Sequence, residues 1–200
     1  MTLQFFGRLA GVLTLTAGLA GCIDMTMDIE VLSETTGRAT TTSVMGSDFY
    51  AMAKAGAASG DNSQEGFCQE DGAQLTENAD GSATCVLTVE GSFADLKLDE
   101  GDDGASFTVV SPGVVRVAFK TDDMKSELGA GAEDEQTKQM MQAFFEGHAI
   151  TIRIGGKAVT DTNMTLSDDK KSAEIVIPFL DLINGTLKLP DELYAVVNTN

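Results

Sequence analysis

Residues 23–31 read Ile-Asp-Met-Thr-Met-Asp-Ile-Glu-Val, and their strict alternation decides the fold. Ile23, Met25, Met27, Ile29 and Val31 fall on one side and Asp24, Thr26, Asp28 and Glu30 on the other, the period of two that gives a β-strand one buried and one wet face. A helix would scatter the same residues around its circumference, so the stretch specifies a strand and the rest of the chain must supply its neighbours.

Downstream the pattern recurs. Thr36 and Gly37 mark a turn, and Arg38 to Met45 reads as a second strand returning as a hairpin. Residues 73–77 and 83–90 form a hairpin around Asn78 to Gly81, with Cys85, Leu87 and Val89 on one face. Ala105 to Val110 and Val114 to Lys120 form another around Ser111, Pro112 and Gly113, with Phe107, Val109, Val115, Val117 and Phe119 as core candidates. Ile150, Ile152 and Ile154 alternate again; Lys157 to Thr160 is strand-like, Asp161 to Asn163 a turn, and a hairpin through Ser167 to Lys171 leads into Ala173 to Ile177, stopped by Pro178. Leu180, Leu182 and Ile183 precede a turn at Asn184 and Gly185, after which Leu187, Leu189, Leu193, Val196 and Val197 supply further apolar positions.

Helical spacing is rarer. Ser47 can cap a short helix carrying Asp48, Phe49, Met52 and Ala53 before Gly56 and Gly60 end it. Residues 121–128 suit another short helix. The main one spans 133–146: Glu133, Asp134 and Glu135 favour its positive end, Met140, Met141, Phe144 and Phe145 make its apolar stripe, and Gly147 terminates it. His148, the sole histidine, then suits a capping role at the negative end. The expected fold is α+β, a single domain with a curved antiparallel β-sheet packed by one main and one or two short helices.

Upstream of residue 23 the character changes. Arg8 precedes an apolar run from Leu9 to Ala20 that ends in small residues, the layout of a secretory signal and too short to span a bilayer. Leu19, Ala20, Gly21 and Cys22 resemble the lipobox of bacterial lipoproteins. That resemblance implies a signal peptide over 1–21, cleavage before Cys22, acyl chains (palmitate among them) on its thiolate, and an extracytoplasmic domain over 22–200. Two or three acyl chains hold a protein on a bilayer far more firmly than one. Ile23, in place of aspartate, implies by the same resemblance an outer-membrane address facing the periplasm. No apolar run after Cys22 reaches spanning length, so the expected anchor is lipid only.

With Cys22 assigned to lipid, Cys68 and Cys85 remain, and an oxidising compartment favours a disulfide between them. A metal site would need more soft ligands nearby, and His148 is distant in sequence, so no metal and no cofactor are expected. Asp99, Asp103 and Gly104 echo an EF-hand loop, but Gly101 and Val110 stand where ligands three and twelve belong, and the stretch reads as an acidic turn. Arg8 is the leader's one charge, so cleavage takes the formal charge from −18 to −19. Such a surface keeps an exported protein soluble and offers no basic stripe for nucleic acid. Trp is absent and tyrosine is limited to Tyr50 and Tyr194, so a sugar-stacking platform is poorly supplied.

The run from His148 to Lys157 (HAITIRIGGK), with Val159 to Asn163 and Leu166 to Ile177 (LSDDKKSAEIVI), is similar to the LppM-type bacterial lipoproteins. That likeness implies an α+β ectodomain with helices against a curved antiparallel sheet and a hydrophobic groove suited to a lipid or glycolipid. It implies no catalytic residue, and this chain lacks the second, C-terminal membrane segment of the commoner pattern.

For function, Met140, Met141, Phe144 and Phe145 admit two readings: plain core, which any packed helix needs, or the lining of a lipid groove. The expectation is a non-catalytic, membrane-proximal binding or interaction module of the cell envelope, its ligand a lipid or lipophile. The alternative is a structural or assembly lipoprotein that binds an envelope protein and no small ligand. A serine elbow, a metal cluster and a phosphate loop are all missing from the sequence, which argues against an enzyme.

Overall fold

The structure is a computed structural model and describes residues 23–58, 67–96, 98, 105–121, 142 and 145–200. The leader, Cys22, the 99–104 turn, nearly all of the 121–128 segment and the main helix apart from Gln142, Phe145 and Glu146 lie outside the described residues.

In chain order the strands are β1 (Ile23–Val31), β2 (Thr36–Met45), β3 (Gln74–Glu77), β4 (Ala83–Ser92), β5 (Ser106–Ser111), β6 (Val114–Lys120), β7 (Ala149–Gly155), β8 (Ala158–Thr162), β9 (Thr165–Leu166), β10 (Ser172–Pro178) and β11 (Glu192–Asn198). Helix α1 (Ser47–Ala58) follows β2, a 3-10 turn (Phe93–Leu96) follows β4, and α2 (Phe179–Ile183) follows β10. The fold is α+β in a single domain, and the strands divide between two sheets. Sheet A runs β3-β4-β2-β1-β7-β10-β9 and sheet B runs β5-β6-β11-β8.

Two features correct the expected architecture in detail. One curved sheet becomes two, and β1 pairs with β7 in parallel, Met25 opposite Ile150 and Ile29 opposite Ile154, while the other pairings are antiparallel. Alternation fixes which face of a strand is buried but carries no information about its partner or direction, so neither feature can be read from period alone.

The inner faces of the sheets close on each other. Ile29, Ile154 and Ile177 of sheet A join Val115, Val117, Leu193 and Val197 of sheet B in one cluster, each at 2 % exposure or less. The stacked rings of Phe93 and Phe107, centroids 4.2 Å apart, tie the 3-10 turn of the first sheet to the edge strand of the second. A smaller cluster of Met45, Tyr50 and Ala83, backed by Phe49, Ala53 and Phe67, seats α1 at one end of sheet A. At the β5–β6 turn Gly113 has φ +75°, and its N–H donates to Glu34 while its carbonyl accepts from Thr199 N, closing the C-terminal end onto the turn.

The disulfide joins Cys68 to Cys85, with Cα atoms 5.4 Å apart, and fastens the loop after α1 to β4. Cys68→Ser with Cys85→Ser should cost about 3 kcal/mol, since a bridge across 17 positions restricts the unfolded chain. Calorimetry should then show the midpoint lowered by roughly 6 to 12 °C for a chain of this size. A midpoint unchanged within 1 to 2 °C, on the order of measurement error, would leave the bridge without a stabilising role.

Candidate functional site

Three places in sheet A concentrate chemistry among the described residues. The first is the start of β1. Asp24 Oδ1 accepts from Ala149 N at 3.0 Å and Asp24 Oδ2 lies 3.1 Å from His148 Nδ1. The carboxylate thereby joins the start of β1 to the residue that opens β7. The His148 ring is turned onto Asp24 and its backbone N–H closes a turn to Phe145 O, while the helix that it is expected to cap lies largely outside the described residues. Histidine paired with aspartate can orient an imidazole for proton transfer, but that chemistry needs a third group. No hydroxyl or thiol bonds this ring among the described residues, and Asp24 is already committed to a backbone amide.

The second place is the outer face of sheet A. Arg38 on β2 stands between Glu90 on β4 and Glu30 on β1, at 2.8 and 2.7 Å. One row along, Arg153 on β7 stands between Glu174 on β10 and Asp28 on β1, at 2.9 and 3.2 Å. Both arise from register, because residues directly opposite on neighbouring strands share a face within reach of one guanidinium. The hydrogen bond from each arginine to Glu90 or Glu174 raises the guanidinium pKa further, so both stay charged. Every partner is 40 % exposed or more, where a pair contributes little to stability. Their physical content is therefore register and surface pattern. An open recess of about 400 Å³ lies beside the rows, bounded by Arg38, Arg153, Gly155, Gly156, Lys171 and Ser172.

The third place is the contact of α1 with β3. Glu77 accepts from Tyr50 Oη and Lys54 Nζ, each at 2.7 Å. Hydrogen bonds from Lys54 first and Tyr50 second hold Glu77 below its ordinary value. Glu192 on β11 is held low in the same sense by Arg116, which also lies 4.5 Å over the Tyr194 ring.

These depressed carboxylates set a pH dependence. A carboxylate whose folded pKa lies below its unfolded value, 4.5 for glutamate, stabilises fully above that value and loses the contribution as pH falls through the folded pKa. Above that window, lowering pH relieves the repulsion of a strongly acidic chain. Thermal midpoints should therefore hold or rise from pH 7 to about 5 and fall below about 4, and Arg116→Met should flatten part of the acid limb. An acid limb identical in Arg116→Met would show that the pair with Glu192 does not contribute.

Of the residues singled out from sequence, Cys68 and Cys85 come together as expected. Met140, Met141 and Phe144 lie outside the described residues, as does Cys22. Phe145 is 7 % exposed and packs on Phe179 at the head of α2, centroids 4.9 Å apart. In that position it fills core. Sequence reasoning missed the two arginine rows, although Asp28 and Glu30 on β1, Arg38 on β2 and Arg153 on β7 carry the signal once strand order is known. No metal-binding group of His, Cys, Asp and Glu occurs among the described residues, and no described helix is long and apolar enough to cross a membrane.

The chain matches no protein-family model and no curated protein. Among solved structures it is similar to the NMR structure of the folded domain of LppM from Mycobacterium tuberculosis, at 10 % sequence identity, over 89 % of this chain and 90 % of that one, with a TM-score of 0.47.

Proposed function

We propose that the protein is a lipid-anchored, non-catalytic binding module of a bacterial envelope, tethered through acylated Cys22 and carried on the periplasmic face of the outer membrane. One observation carries the reading. The strand β1 begins at Ile23, one residue after the cysteine of the Leu19 to Cys22 box, and is an interior strand of sheet A, held by β2 on one side and β7 on the other. A bilayer anchor on Cys22 would thus act on the centre of the sheet with almost no slack, since one residue spans under about 4 Å. The bond that Asp24 accepts from the Ala149 N–H secures that entry.

Metabolic labelling with an alkynyl palmitate in a bacterial host tests the anchor. Label and membrane fractionation should both vanish in Cys22→Ser. Labelling that persists in Cys22→Ser, or a wild-type chain released in soluble form, would overturn the anchor.

Within this reading a protein partner is favoured over a small ligand. The apolar cluster between the sheets is buried, and the two recesses, one beside the arginine rows and one beside helix α1, are open to solvent. Paired charges and hydroxyls spread over an exposed sheet face suit a broad polar contact better than capture of one lipophile. Native mass spectrometry of the mature Cys22→Ser protein from the periplasm separates the two: an apo mass agrees with a protein partner, whereas a stoichiometric co-purified lipid would restore the lipid-carrier reading.

A further inference from the structure

The registers of sheet A place Ile23, Met45, Ala83 and Glu77 in one row across four strands at one end of the sheet. Helix α1 starts two residues after Met45 and lies along that same end. Its Ser47 stands beside Gly81 in the β3–β4 turn, and Tyr50 and Lys54 reach Glu77. Phe49, Tyr50 and Ala53 face the sheet. The opposite side presents Ala51, Met52 and Ala55, and Met52 is 55 % exposed. Next to it an open recess of about 360 Å³ is bounded by Tyr50, Ala51, Lys54, Glu77, Asn78 and Gly81.

We propose that α1 is a second, non-covalent membrane contact, with Met52 at the boundary between headgroups and acyl chains and Lys54 at the level of the lipid phosphates. The inference rests on the acylation of Cys22 proposed above, and that anchor supplies the occupant: Cys22 adjoins Ile23, so its acyl chains would enter the bilayer at the end of the sheet that α1 covers. A methionine flanked by alanines has too little apolar area for a stable protein interface, which needs about 800 Å² per partner. It suits shallow insertion, as does a lysine whose stem can follow apolar surface while its head stays wet. Lys54 is paired with Glu77, so the exposed helix face carries the single charge of Asp48, a small repulsion from anionic lipid that the acyl tether has to outweigh. One methionine cannot recruit the protein unaided. Under a tether the contact becomes intramolecular, and its task is to fix the tilt of the sheet on the membrane.

The test uses acylated protein purified from membranes, its mass confirmed, in vesicles of phosphatidylethanolamine and phosphatidylglycerol. Photo-crosslinking with p-benzoylphenylalanine at position 52 should give lipid adducts at least about tenfold above those from position 157, which lies beyond the opposite end of β7, as expected for a group held at the interface. Amide exchange of native 47–58 should also slow on vesicles relative to Cys22→Ser in solution, with 156–158 unchanged. Equal adducts at the two positions, or none at 52, on confirmed acylated protein would overturn this inference and leave the anchor standing. Protein without acyl mass would overturn the anchor, and this inference with it.

Discussion

Gly156→Val should keep the two sheets from closing. A Cβ built on Gly156 meets Val197 Cγ1 at 2.5 Å and the Val31 carbonyl oxygen at 2.9 Å. Val31 ends β1 in sheet A and Val197 lies in β11 of sheet B, so the added carbon would stand in the seam between the sheets. The carbonyl cannot rotate away like the end of a long side chain, and Val197 is fully buried. Overpacking a core typically costs about 1–3 kcal/mol. With backbone on one side and a branched residue added, the cost here should reach or exceed the upper end, and the chain should accumulate as aggregate or melt roughly 10 °C lower. Gly156→Ala should cost less, in the same direction. A valine variant with the wild-type midpoint would show that the sheets do not meet at this point.

Ile154→Ala should be a second heavy loss, at about 2–5 kcal/mol. Ile154 is fully buried on β7, opposite Ile29 on β1 and Ala173 on β10, and it faces the second sheet. Truncating it removes apolar contact and leaves a void lined by neighbours already fixed by two ladders. The matched control is Val176→Ala on β10, whose side chain is 52 % exposed on the outer face and whose loss should lie within about 0.5 kcal/mol. Denaturant titration of the pair checks the facing of the whole sheet. Comparable losses at both positions would mean that the outer face of sheet A is covered as well.

How much of this was legible in the sequence depends on what each signal encodes. The alternation in 23–31, 114–120 and 150–154 gave the strands and their buried sides, because period two is a local property of the backbone. The turns at Asn78 to Gly81 and at Pro112 and Gly113 gave the hairpins through their own chemistry. Partnership between distant strands had no local signal. Nothing in Met25 or Ile150 says that they lie side by side, so both the parallel pairing and the second sheet escaped. The strand β11 was missed for another reason: Leu193, Ala195 and Val197 do alternate, but the neighbouring leucines at 187 and 189 obscured where the period begins. At the candidate sites, the disulfide was legible by counting cysteines. The place of His148 was not, since its partner Asp24 lies 124 positions away.

The parallel pairing of β1 with β7 also has a consequence in time. The N-terminal part of the domain emerges from the export channel first, and β2 can fold back onto β1 at once through a short turn. Its other edge must then wait, because the strand that completes it begins 125 positions after Asp24. Throughout that interval an apolar strand offers unpaired backbone to any other extended segment, the situation in which nascent chains mispair. Long-range pairing of this kind also slows folding, since the intervening loop must close before its contacts repay the entropy. Refolding should accordingly be slow and concentration-sensitive, and a chain truncated before residue 149 should be unable to shield its own first strand.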